Sequence, residues 1–96
     1  MSITRINEFR AKDGSGDLLR DRLKSFLPMI ESSEGCLSCH LLQSHKDRSH
    51  IVLVEEWEST AAHKASLQKI PPEPFRETMQ LLAVPPTGEY YDDCEV

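Results

Sequence analysis

Residues 50–57, His-Ile-Val-Leu-Val-Glu-Glu-Trp, narrow the choice of folds more than any other stretch of this chain. The β-branched run marks a strand. Side chains alternate across a strand, so Ile51 and Leu53 point one way and Val52 and Val54 the other. Both faces of the sheet that holds this strand are therefore apolar. Helices drawn from a 96-residue chain can cover only one of them. A large bare apolar patch is unusual on a monomer, and a second copy of the chain in a two-fold dimer is the simplest cover. The alternative is that Val52 and Val54 are only strand formers on a half-wet face.

The flanking segments supply the rest of the layers. Residues 3–10, ITRINEFR, alternate loosely and read as a strand. Asp13-Gly14-Ser15-Gly16 is a turn, in which Ser15 or Asp17 is placed to cap the next helix. In that helix Leu19, Leu23, Phe26, Leu27 and Ile30 form one apolar stripe of helical period, kinked at Pro28, and Gly35 ends it in the left-handed conformation. Residues 36–45 and 50–57 form a hairpin around the polar link His45–Ser49. Ser59 caps a second helix starting at Thr60 or Ala61, whose Ala61, Ala62 and Ala65 allow close approach to the sheet. Pro71, Pro72 and Pro74 interrupt it, and a further helix starts near Pro74 with Phe75, Met79 and Leu82 on one face. Pro85 and Pro86 stop that helix, and residues 87–94 form a last strand with Tyr90 and Tyr91. The order β-α-β-β-α-β predicts an α+β protein with a four-stranded antiparallel sheet and helices on one face, in one domain spanning 2–94.

Charge and cysteine content exclude several classes of function. The net charge of −5, with Lys and Arg scattered, argues against a nucleic-acid partner. No apolar run approaches membrane-spanning length, and the opening MSITRINEFR lacks a basic and then apolar leader, which together point to a cytoplasmic protein without a membrane partner. The odd count of three cysteines fits reduced thiols better than a disulfide framework.

Residues 36–40, CLSCH, match the C-x-x-C-H pattern of covalent haem attachment. Directly after Gly35 they open a strand, where residues three apart face opposite ways. That geometry sets Cys36 and Cys39 on opposite faces, with His40 beside Cys36. One C-x-x-C without a second ligand pair also weakens a zinc reading, so the expectation is no metal and no haem, with Cys39 packing as a small apolar residue.

The segment SEGCLSCHLL followed by IVLVEEWES resembles the antibiotic biosynthesis monooxygenase family. Gly35-Cys36-Leu37 is similar to the family's second strand, and Leu53–Ser59 to its third strand and the cap of its next helix. Pro28, seven residues before Gly35, looks like the quinol-monooxygenase-like branch. The resemblance covers about residues 2–94. It implies a ferredoxin-like protomer and a homodimeric α+β barrel with an apolar cavity between sheet and helices. It also implies oxygenation by molecular oxygen of a small apolar or aromatic substrate, phenolic or quinol-type, without metal, flavin or other cofactor. Other members of the family degrade haem or handle small signals, and other ferredoxin-like barrels bind ligands without turnover. This chain has Cys39 where the family often has tyrosine, Ser66 where it often has histidine before leucine, and Ile70-Pro71 or Pro71-Pro72 in place of its usual proline-histidine.

The candidate site residues follow. Asn7 sits mid-strand, where asparagine is disfavoured, and looks like the asparagine used by haem-degrading and anthrone-oxidising members. Trp57 matches the family's tryptophan, and its indole N–H is suited to orient a substrate oxygen. These two are the expected catalytic pair. His63, three residues before Ser66, is a substrate-binding candidate and has the chemistry of a general base, although Lys64 beside it points to a polar helix face. Phe75 and Met79 are candidates for the wall of the cavity.

Overall fold

The computed structural model describes residues 2–94. Its elements run β1 (Ile3–Arg10), α1 (Gly16–Lys24), α2 (Leu27–Glu31), β2 (Cys36–Gln43), β3 (His50–Trp57), α3 (Thr60–Leu67), α4 (Pro72–Met79) and β4 (Thr87–Asp92). The strands form one antiparallel sheet in the order β2-β3-β1-β4. This is the ferredoxin-like α+β arrangement expected from the sequence. The first apolar stripe packs Leu19 and Leu23 onto Phe9, Ile51 and Leu53, and these make the centre of the core.

Local chemistry explains the boundaries that differ from expectation. The first helix is not kinked at Pro28 but broken before it, at Ser25 and Phe26. A proline ring clashes with the carbonyl four residues earlier, here that of Lys24, the last residue of α1. Pro28 then sits in the first turn of α2, where a missing N–H costs nothing. Ser15 occupies the N-cap position of α1 without a side-chain hydrogen bond, and Asp17 turns outward toward Arg20 and Gln43. β2 ends at Gln43, two residues early, because Ser44 Oγ accepts from the Asp47 N–H and starts the turn. β4 ends at Asp92 rather than residue 94. α4 starts at Pro72, with Pro71 as its cap. Ser59 caps α3 as expected, its Oγ accepting from the Ala62 N–H at 3.1 Å. Of the three alanines in α3, Ala62 faces inward, whereas Ala61 and Ala65 are exposed.

The cysteine reading needs one correction. Cys36 pairs with Trp57 and Cys39 with Glu55, while Ser38 pairs with Glu56, so one residue is extra between Cys36 and Ser38. This bulge inverts the parity of the strand at its start. Cys36 and Cys39 therefore share the helix-covered face, and His40 lies on the other face opposite Val54. Burial pushes the Cys39 thiol up to about 12, so it stays a protonated apolar filler. No group of three or more His, Cys, Asp or Glu among the described residues is arranged to hold a metal.

The two faces of β3 divide as alternation requires. Ile51, Leu53, Glu55 and Trp57 are buried under the helices, while Val52 and Val54 lie half-buried on the face without helices. Leu42 beside Val52, and Ile6 beside Val54, extend that second apolar surface, and the Leu42 residue is 54% exposed.

Gly35 is the joint between the layers. Its φ of 87° lies in the left-handed region, and a Cβ there would meet the Ala62 Cβ at 2.6 Å. Gly35→Ala is expected to lower stability by about 1–3 kcal/mol through strain and displacement of α3. Urea unfolding of the pair of proteins checks this, and an unchanged midpoint would show that α3 is not seated on Gly35.

Candidate functional site

The inward side chains of β1 and β3, together with α1, α2, α3 and the start of β4, enclose a cavity of about 200 Å³ that is partly open to solvent. Its wall is mostly apolar, from Phe9, Leu23, Phe26, Ile30, Leu53, Leu67 and Ile70, with Phe75 at the rim set edge-on to Phe26. Arg5, Asn7, Glu55, Trp57, His63 and Ser66 supply the polar groups. Four of the five residues expected at the site, Asn7, Trp57, His63 and Phe75, thus line one cavity. Met79 does not line it; it packs against the core and borders a separate shallow groove beside Leu82.

Glu55, which the sequence reading left out, is the centre of the polar set. It points inward because it keeps the parity of Ile51, Leu53 and Trp57. That alternation was the signal available in the sequence. Only 4% of Glu55 is exposed. Its Oε1 accepts the Trp57 indole N–H at 2.8 Å, which also fixes the fully buried tryptophan ring. His63 Nε2 lies 3.7 Å from the same oxygen. Glu55 Oε2 has no hydrogen-bond partner among the described residues, yet none of their buried polar atoms is unsatisfied, so this oxygen is open to the cavity.

His63 is buried, not on a polar helix face, because successive helical side chains diverge by about 100° and Lys64 can be exposed while its neighbour is not. The His63 Nδ1 lies 2.7 Å from the Tyr90 hydroxyl, and its ring stands edge-on to both Trp57 and Tyr90. Glu55 Oε1 already accepts one N–H, so the tautomer that suits the site has Nε2–H facing Glu55 and the Tyr90 O–H donating to Nδ1. Tyr90 was legible as a strand residue but not as the partner of a residue on α3.

Burial sets the charge states. Desolvation raises the Glu55 carboxyl above its ordinary value of 4.5, with the Trp57 hydrogen bond and the Arg5 charge working the other way. Desolvation lowers the His63 imidazole below its ordinary 6.5, and the charges of Arg5 and Lys64 add to the effect. Both shifts favour neutral forms.

On β1, Arg5 stands directly between Glu55 on β3 and Tyr90 on β4. Its guanidinium lies over the Tyr90 ring, 4.7 Å from the centroid, and its Nε donates to Asn7 Oδ1 at 3.0 Å. Asn7 therefore has the partner that a half-buried mid-strand amide needs. Ser66, which also lines the cavity, donates its hydroxyl to the His63 carbonyl at 2.6 Å. The chemistry available is a carboxylate of raised basicity, an imidazole beside it, a cation and an amide, all in an apolar chamber.

Residues 2–80 match the profile of the antibiotic biosynthesis monooxygenase family, and the chain belongs to that family. The solved structures it resembles include an antibiotic biosynthesis monooxygenase at 18% identity, with TM-score 0.85 and coverage of 97% of this chain and 99% of that one. Rv0793 from Mycobacterium tuberculosis aligns at 19% identity and TM-score 0.84, covering 100% of this chain and 98% of that one. SnoaB, a cofactor-independent oxygenase from Streptomyces nogalater, aligns at 13% identity and TM-score 0.82, covering 99% and 95%. At these identities the likeness establishes the fold. A comparison with curated protein sequences gives no match. No helix among the described residues is long and apolar enough to cross a membrane.

The opposed shifts give a stability test. Glu55 binds protons more tightly folded than unfolded, so it costs stability as pH rises from 4.5 through its raised value. His63 binds them less tightly folded, so it costs stability as pH falls below 6.5. The melting temperature of Glu55→Gln relative to wild type is expected to rise with increasing pH, and that of His63→Gln with decreasing pH. Differences that stay flat from pH 4 to 8 would contradict the charge assignment.

Proposed function

We propose that this member of the family is a cofactor-independent monooxygenase acting on a small phenolic or quinol-type aromatic held in the cavity. The observation that carries the reading is Glu55, a buried carboxylate of raised basicity with one oxygen open to an apolar chamber. Such a group suits removal of a phenolic proton in a dry site. The resulting electron-rich anion can itself reduce oxygen. One electron passes to O₂, the two radicals join at a ring-system carbon, and the peroxide loses water to leave a carbonyl. One oxygen atom enters the substrate and the other leaves as water, with all electrons from the substrate.

In this reading Glu55 Oε2 takes the proton and becomes neutral, the Trp57 N–H holds Glu55 in place, and neutral His63, anchored by Tyr90, keeps its Nε2 side toward Glu55 Oε1. Asn7 faces the developing oxyanion and Phe75 closes the rim. A cavity of about 200 Å³ takes one or two fused rings, since about 150 Å³ already holds benzene. That size speaks against the haem-degrading alternative. The reading includes a homodimer, supported by the bare surface of Ile6, Leu42, Val52 and Val54, and a cytoplasmic setting, supported by free Cys36, Cys39 and Cys94.

Oxygen uptake with a panel of benzoquinols and naphthoquinols tests the activity. Wild type is expected to consume oxygen, Glu55→Gln to lose about 100-fold in kcat, and Asn7→Ala and Trp57→Phe to lose about tenfold. Tight binding with no uptake would instead favour a ligand-binding dimer without turnover, and equal uptake in all four proteins would remove the site. Sedimentation tests the dimer separately: wild type is expected to be dimeric at micromolar concentration and Val54→Arg monomeric, and a monomeric wild type would refute the dimer.

A further inference from the structure

Arg5 and Glu55 are directly opposed across β1 and β3, the arrangement in which opposite charges ordinarily pair. They form no ion pair among the described residues. Arg5 leans the other way, toward β4, where its guanidinium stacks on Tyr90 and its Nε is held by Asn7. Its two Nη groups have no hydrogen-bond or carboxylate partner among the described residues. The half-buried guanidinium is thus fixed in place with its fork unused.

The Asn7 amide is oriented by the same contact. An arginine can only donate, so the oxygen of Asn7 faces Arg5 and its NH₂ is turned away and free to donate. Beneath both groups lies Gly88. A Cβ at Gly88 would collide with Arg5 Nη2 and approach Asn7 Oδ1 to 2.6 Å, so the bare backbone is what makes room for them. Arg5, Asn7 and Gly88 all line the cavity. We propose that Arg5 and Asn7, seated over Gly88, form an anion-holding cradle, and that the ligand of this site presents an ionised ring oxygen to it.

The proposal rests on the phenolic reading of the cavity and adds a division of labour. Glu55 faces the cavity from β3 as proton acceptor, Arg5 from β1 as the holder of the anion, and His63 from α3 and Tyr90 from β4 connect them. Lys64 is the further cation whose field reaches His63. A guanidinium already paired with Glu55 would have neutralised the base and left no donor for the product of its action. The observed separation keeps both groups available.

Two inert probes test the cradle without any turnover. They are 4-nitrophenol, whose phenolate absorbs distinctly from the phenol, and 4-nitroanisole, its neutral O-methyl counterpart. Bound to wild type at constant pH, 4-nitrophenol is expected to ionise more than in buffer, and the phenolate to bind about tenfold tighter than 4-nitroanisole. Arg5→Gln is expected to abolish both effects while leaving 4-nitroanisole affinity unchanged within about twofold. Arg5→Lys should keep part of the preference. Gly88→Ala places a methyl group in the cradle at a position whose φ suits alanine, and should remove the preference even if Arg5→Gln fails to fold. An ionisation shift that is the same in Arg5→Gln and wild type, equal affinity of wild type for the two probes, or no binding of either probe would each overturn the cradle. Absence of oxygen uptake would sink the monooxygenase reading and leave these binding results standing, so the two failures are distinguishable.

Discussion

The arrangement depends on one costly placement, the burial of the Glu55 carboxyl on the helix-covered face of the sheet. An ionised carboxylate removed from water needs partners, and Glu55 has one firm donor, the Trp57 indole. The shortfall appears as raised proton affinity. The surroundings are arranged around it. Trp57 is fully buried and locked by the same bond. His63 is held neutral with its Nδ1 taken by Tyr90. Arg5, the obvious counter-ion, is drawn aside onto Tyr90. A chain selected for stability alone would place an apolar residue at this position, and a local rule broken without structural gain is characteristic of a functional site.

Strand parity connects that placement to the architecture. The alternation that sends Ile51 and Leu53 into the core sends Glu55 and Trp57 into the cavity above it, and sends Val52 and Val54 to the opposite surface. A single strand therefore builds the core, the candidate site and the bare apolar face. Gly35 sets the helix layer at the right height, since only a residue without a side chain fits under Ala62.

The order of elements was legible in the sequence because it rests on period, caps and breakers. The apolar stripe through Leu19 and Leu23, the Ser59 cap and the hairpin all appear where local chemistry places them. What escaped is non-local or depends on a single inserted residue. The bulge between Cys36 and Ser38 leaves no mark in composition, yet it moves Cys36 onto the face of Cys39 and away from that of His40. The break before Pro28 was off by one turn because the clash acts four residues back. At the site, Asn7, Trp57, His63 and Phe75 converge, while Met79 falls outside because α4 turns Thr78, not Met79, fully inward. Glu55 was hidden in plain alternation, and the links of Tyr90 to His63 and Arg5 to Tyr90 join strands and helix far apart in the chain.

Membership of the family accounts for the fold, and the residues that line the cavity carry the proposed chemistry. Ser66 and His63, one turn apart on α3, both line the cavity, and His63 brings the imidazole. The central claim is that Glu55 is a proton acceptor made strong by burial. Nuclear magnetic resonance titration of the Glu55 side-chain carboxyl carbon, with His63 ring nitrogens followed in the same samples, measures this directly. The account predicts that Glu55 titrates above 4.5 and His63 below 6.5, with the proton of neutral His63 on Nε2. A Glu55 carboxyl that titrates at or below 4.5 would contradict it.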